Sequence, residues 1–124
     1  MSEHRWQRLL ALTVAAPYCD KLRPLCADTP SELDWPDKKL FCIGGSILRK
    51  EKDVEEIEFI FCPMNELIGC TEEIKQMVRD GKLLLCDSVF LDARTKIPIK
   101  FTSVARNNWT KALQNSMSPT QCFK

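Results

Sequence analysis

Apolar and polar positions follow two different rhythms along this chain, and the change of rhythm marks out its elements. From Ser2 to Ala16 the residues Trp6, Leu9, Leu10, Thr13 and Val14 recur at helical spacing, and Pro17 closes the pattern. Tyr18 to Leu25 continues as a short helical or turn segment that ends near Pro24. The stretch 27–39 (ADTPSELDWPDKK) has two prolines, no periodicity and mostly polar residues, so it reads as an exposed loop. Leu40 to Ile43 is a short apolar strand, followed by Gly44-Gly45-Ser46. Val54 to Cys62 alternates with the period of a strand: Ile57, Phe59 and Phe61 share one face, and Glu56, Glu58 and Ile60 share the other. Pro63 and Asn65 end it.

The second half adds one more helix, a strand pair and a terminal helix, with no internal repeat. Thr71 as N-cap, Glu72 and Glu73 at the positive end of the helix dipole, and Gly81 as the stop predict a helix at about 72–80. Leu83 to Phe90 and Ile97 to Val104 read as two strands joined by the polar turn LDARTK. Asn107 caps a final helix running to about Ser116, and 117–124 is a flexible tail. The order helix, strand, strand, helix, strand, strand, helix predicts an α+β fold, a small mixed β-sheet with flanking helices. All of 1–124 is expected to form one domain, with 27–39 as an inserted loop.

Composition narrows the function. Hydrophobic residues make up 44% and charged residues 28% of 124 residues, as in an ordinary globular domain. The formal net charge of +1 gives no field that would draw the whole molecule onto nucleic acid or an anionic membrane. The apolar runs fall short of the ~18 residues that a membrane span needs, and Met1 to Arg8 is polar with mixed charge, unlike a secretory leader. The seven cysteines are scattered, odd in number and nowhere spaced C-x-x-C, and His4 is the single histidine. They read as reduced thiols in a cytoplasmic setting, with Cys42, Cys62 and Cys86 as small buried hydrophobes.

Chemistry is concentrated in one region. A strand feeding Gly44-Gly45-Ser46 lets backbone amides approach a phosphate, the Ser46 hydroxyl adds a donor, and Arg49 offers a planar fork for phosphate oxygens. Glu56 and Glu58, two apart on a strand, project from one face as a pair of divalent-cation ligands would. Each element has an ordinary alternative: a tight turn, a solvated cation, a solvated strand face. Trp35 either folds back onto the core edge or anchors a protein partner.

Together, Gly45-Ser46-Ile47-Leu48-Arg49 followed by Glu56-Ile57-Glu58 resembles the palm of the DNA polymerase β-type nucleotidyltransferase superfamily, whose pattern is G-S-x-x-R and then an acidic pair on a strand. The upstream stretch LTVAAPYCDKL, and downstream Asp80-Gly81-Lys82-Leu83 and IPIKFTSVARNNW, extend the resemblance over roughly Leu12 to Leu113, most closely to short phage and bacterial members. The resemblance implies nucleotide binding by Gly45, Ser46 and Arg49, and catalytic and metal-binding roles for Glu56 and Glu58. It also implies departures. Glu56 stands where the family has aspartate, and Lys100 stands at the position of the third carboxylate, the base that takes the attacking hydroxyl's proton. An ammonium there neutralises clustered carboxylates as a metal would and leaves no base.

Three readings of Glu56, Glu58 and Lys100 follow: a salt-bridged surface patch, a degenerate metal site, or a working site assisted by Glu55 or Asp53. The first two suit a catalytically impaired nucleotidyltransferase-fold protein, with no cofactor, that acts by binding a protein partner. The likeness to phage members makes inhibition of a host enzyme or defence complex one form of that role. The third suits a minimal nucleotidyltransferase using Mg²⁺ or Mn²⁺ to modify a protein or small hydroxyl. Nucleotide binding fits both classes; the interleaved charges around Lys50 give only a weak patch for nucleic acid, and no membrane partner is expected.

Overall fold

The first surprise is how the chain handles Pro17. The computed structural model describes residues 5–33, 35–48, 51–65 and 69–117. It opens with strand β1 (Trp6–Gln7) and continues directly into helix α1 (Arg8–Leu22), with Pro17 inside the helix and not at its end. A proline removes the N–H owed to the carbonyl four residues back and costs ~3 kcal/mol in a helix interior. Carrying α1 past it buries Tyr18 and Leu22, each worth ~1.5–3 kcal/mol on burial. The buried stripe of α1 is Ala11, Ala15, Tyr18 and Leu22, whereas Leu9 and Leu10 stay 75% and 42% exposed. The expected apolar face is therefore rotated: Ala11, Ala15, Tyr18 and Leu22, not Leu9 and Leu10, face the sheet. A 3₁₀ turn, Arg23–Leu25, follows.

Strand β2 (Phe41–Ile43), the short helix α2 (Gly45–Leu48), β3 (Asp53–Val54) and β4 (Ile57–Phe61) come next. After them come α3 (Thr71–Arg79), β5 (Leu83–Cys86), β6 (Val89–Asp92), β7 (Pro98–Ser103), a 3₁₀ turn at Arg106–Asn108 and α4 (Trp109–Met117). Five strands form one sheet in the order β2-β4-β7-β6-β5, with β4 and β7 parallel and the other neighbours antiparallel; β1 and β3 form a separate antiparallel pair. The α+β class with mixed pairing is the observed one.

Two expected strands are divided. The run from Val54 to Cys62 breaks at Glu55 and Glu56, because Val54 pairs back to Trp6 while β4 pairs with β2 and β7. Leu83 to Phe90 is a hairpin: Asp87 and Ser88 both take positive φ (48° and 68°), the backbone that a two-residue hairpin turn demands. Cys70, not Thr71, caps α3, without a side-chain bond. Gly81 does close that helix, at φ 79°. The 27–39 segment contains neither helix nor extended strand, apart from an isolated pairing of Asp28 with Lys39; Asp34 lies outside the described residues. Met117 ends α4, and 118–124 of the expected tail also lie outside them.

The sheet separates two apolar clusters. Ile57, Phe59 and Phe61 of β4 pack with Ala11, Ala15, Tyr18 and Leu22 of α1. Ile60, Cys42, Leu40 and Trp109 of α4 fill the other, with Trp35 against it. The face assignment read from the alternation of β4 therefore holds. None of the six cysteines among the described residues forms a disulfide; Cys42 and Cys62 are buried, but Cys86 is exposed beside the hairpin turn. No helix among the described residues is long and apolar enough to cross a membrane.

Candidate functional site

Strand β4 positions the central carboxylate. Glu58 alternates away from the phenylalanine face and lies half-buried, in register with Lys100 on the parallel neighbour β7. Its Oε2 accepts a hydrogen bond from the Thr102 hydroxyl at 2.9 Å. Thr102 stands two residues beyond Lys100, so the pleat puts both side chains on the face that carries Glu58.

The glycine turn folds onto the same carboxylate. The Gly44 N–H donates to the Glu58 carbonyl at 2.7 Å, and the Gly45 N–H donates to the Ser116 hydroxyl at 2.6 Å. A Cβ on Gly44 would lie 2.5 Å from Ile60 Cδ1 and 2.6 Å from Ser116 Oγ, so this position needs glycine for close approach. Gly45 needs it for conformation, at φ 59°, and a Cβ there would sit 3.5 Å from Glu58 Oε1. Of the amides expected to cradle a phosphate, those of Gly44 and Gly45 are thus engaged by the protein's own groups. Ser46 lies in the backbone of α2, and Arg49 lies outside the described residues.

Glu56 precedes β4 and does not share the strand with Glu58, contrary to the expected pair on one regular element. It lines a groove of about 340 Å³ together with Lys100, Ser88 and Phe90. Partial burial pushes its carboxyl above the usual range; Lys100 pulls it back, while Glu58 and Glu55 push it further up. The Lys100 ammonium is exposed and makes no ion pair within 4 Å among the described residues, so the expected salt-bridged patch is instead a longer-range cluster. Buried behind it, the Cys42 thiol is pushed up to about 12 by burial and by the Glu58 charge.

A two-cation site asks for at least three anionic donors on facing positions. Here the register position beside Glu58 carries an ammonium, Glu58 already accepts the Thr102 hydroxyl, and Glu56 sits off the strand. The donor set does not fit such a site.

Trp35 is half-buried, its ring edge-on to Trp109 at 5.6 Å, with its indole N–H donating to the Lys39 carbonyl at 3.0 Å. Its main contacts are therefore internal. Lys39 itself pairs with Asp28 at 2.9 Å, which removes its charge from the weak patch expected of Lys38, Lys39, Arg49, Lys50 and Lys52 around the glycine turn.

Two site residues escaped the sequence. Thr102 carried a signal, since it shares the strand face of Lys100 at two-residue spacing. Ser116 carried none: it meets Gly45 across 71 residues of chain, a pairing that only tertiary packing of α4 creates. Compared with protein-family models and with curated protein sequences, the chain matches none.

Proposed function

We propose that this chain is a degenerate relative of the polymerase β-type nucleotidyltransferases that works by binding another macromolecule, a protein in preference to nucleic acid. The observation that carries the reading is Lys100, in register with Glu58 on the adjacent parallel strand at the position where the resemblance expects the catalytic base. An ammonium cannot accept a proton, and it repels an incoming Mg²⁺. The internal engagement of the Gly44 and Gly45 amides supports the same reading, because a phosphate would have to displace both bonds. The near-neutral charge favours a protein partner, of which a host enzyme or a defence complex is one form.

The test is a thermal-shift titration with each NTP, with and without Mg²⁺ or Mn²⁺, on the wild type, Glu58→Gln and Lys100→Asp. A ligand at a hundred times its dissociation constant adds about 2.7 kcal/mol, a visible rise. The expected outcome is a flat wild type and a metal-dependent rise only in Lys100→Asp. A metal-dependent rise in the wild type that Glu58→Gln abolishes would overturn the proposal in favour of an active transferase.

A further inference from the structure

On the opposite face of the sheet, the rotated helix α1 leaves a cavity of about 500 Å³ against the end of α3 and the turn after β6. That volume is in the ordinary range of a small-molecule site. Leu10, Val14, Pro17 and Met77 form its apolar wall, and the exposure of Leu10 places apolar surface at the mouth. Its polar floor is already built: the Tyr18 hydroxyl donates to Asp92 Oδ1 at 2.7 Å, and Asp92 Oδ2 accepts from the Thr95 amide (2.9 Å) and hydroxyl (2.8 Å). Asp92 is 7% exposed, so its charge is consumed within the protein.

The rim has the opposite sign. Lys21, Lys82 and Arg94 line the cavity, and none of them makes an ion pair among the described residues. The second lining carboxylate, Asp80, accepts the Gln76 amide at 2.8 Å. Three cations against two internally bonded carboxylates leave a single net positive charge beside an apolar wall. We propose that this cavity binds a small amphipathic monoanion, an apolar body ending in a carboxylate, with the body along Leu10 and Val14 and the head among Lys21, Lys82 and Arg94. The site is separate from the Glu56–Glu58–Lys100 cluster, since Phe59 packs against Tyr18 while Glu58 projects from the other face, and it stands whatever becomes of the function proposed above.

The experiment titrates the full chain with octanoate, 1-octanol and acetate, read by calorimetry and by backbone amide NMR shifts. Octanoate should saturate one site and move amides of 10–18 and 92–95, whereas acetate should give no saturable shift. Octanol should bind at least about tenfold more weakly, the loss expected when hydrogen bonds to charged groups are missing. Replacing the exposed cations together (Lys21→Gln, Lys82→Gln, Arg94→Gln) should weaken octanoate about tenfold and leave octanol unchanged. Leu10→Asp, also at an exposed position, should abolish octanoate binding with an unchanged melting temperature. Absence of saturable octanoate binding, equal binding of octanol, or amide shifts confined to other residues would each overturn the proposal.

Discussion

Removing one oxygen, by Tyr18→Phe, isolates the most informative polar contact in the fold. The hydroxyl lies 2.7 Å from Asp92 Oδ1 and also within 3.0 Å of the Lys82 carbonyl, linking α1 to the β6 end of the sheet across 74 residues. Hydrogen bonds to charged groups contribute ~1.5–3 kcal/mol, and the abandoned carboxylate oxygen stays mostly buried. Water entering the adjoining cavity recovers part of that loss. The expected cost is ~2 kcal/mol, or roughly 8 °C of melting temperature for a domain of this size.

The pH dependence has a definite sign at each end. Burial alone would raise Asp92, but the Tyr18 hydroxyl and the amide and hydroxyl of Thr95 hold it below the usual carboxylate range. Its stabilisation is present above the unfolded value near 3.9 and is lost as pH falls through the lower folded value. Tyr18 is raised far above 10 by burial, then by its bond to Asp92 and by the Asp92 charge. That contribution is complete below about pH 10 and is lost as pH rises beyond it. The gap between wild type and Tyr18→Phe should therefore be flat between about pH 5 and 9 and narrow on both sides. Tyr18 is the only tyrosine, so phenolate absorbance reports it directly. Ionisation near pH 10 in the native protein, or a stability gap below ~0.5 kcal/mol at pH 7, would refute the account.

Gly44→Ala should cost ~1–3 kcal/mol in urea unfolding, because the new methyl meets Ile60 and Ser116 in a filled region. Trp109→Ala should cost ~3–5 kcal/mol, since the ring is 1% exposed, and Trp109→Phe clearly less, because the indole Nε1 has no hydrogen-bond partner among the described residues. Trp35→Ala should lower the melting temperature through lost contact with Trp109; an unchanged melt would return this residue to the role of a partner anchor.

Much of the fold was legible where one physical signal dominated. The alternation through β4 identified both of its faces because each packs against a separate cluster. Gly81 ended α3 because only a left-handed residue closes that turn cheaply. The failures share a different cause. Pro17 was read locally, whereas burial of Tyr18 and Leu22 outweighs its penalty. Leu83 to Phe90 was read as one strand because Asp87-Ser88 lacks the glycine that usually announces a primed turn. In the candidate site, the resemblance set Lys100 beside Glu58, and the two are register neighbours on β7 and β4, while the engagement of the Gly45 amide depends on Ser116, which no local pattern reveals.

The residues that decide between enzyme and binding protein can be changed without disturbing the fold, and this makes the question answerable. Lys100 is exposed and makes no ion pair among the described residues, so Lys100→Asp removes no packing and should cost about 1 kcal/mol at most, from the like charge it sets in register with Glu58. Any nucleotide or metal response in that variant then reports the chemistry of the site and not a rearranged sheet. The glycine turn offers no such separation. A Cβ on Gly44 would press on both Ile60 and Ser116, the residue of α4 that accepts the Gly45 N–H, so its substitution perturbs packing and site together. Lost function in a Gly44 variant would carry no information about phosphate binding, whereas gained metal dependence in Lys100→Asp would point to the new carboxylate acting with Glu58, its register neighbour, and Glu56.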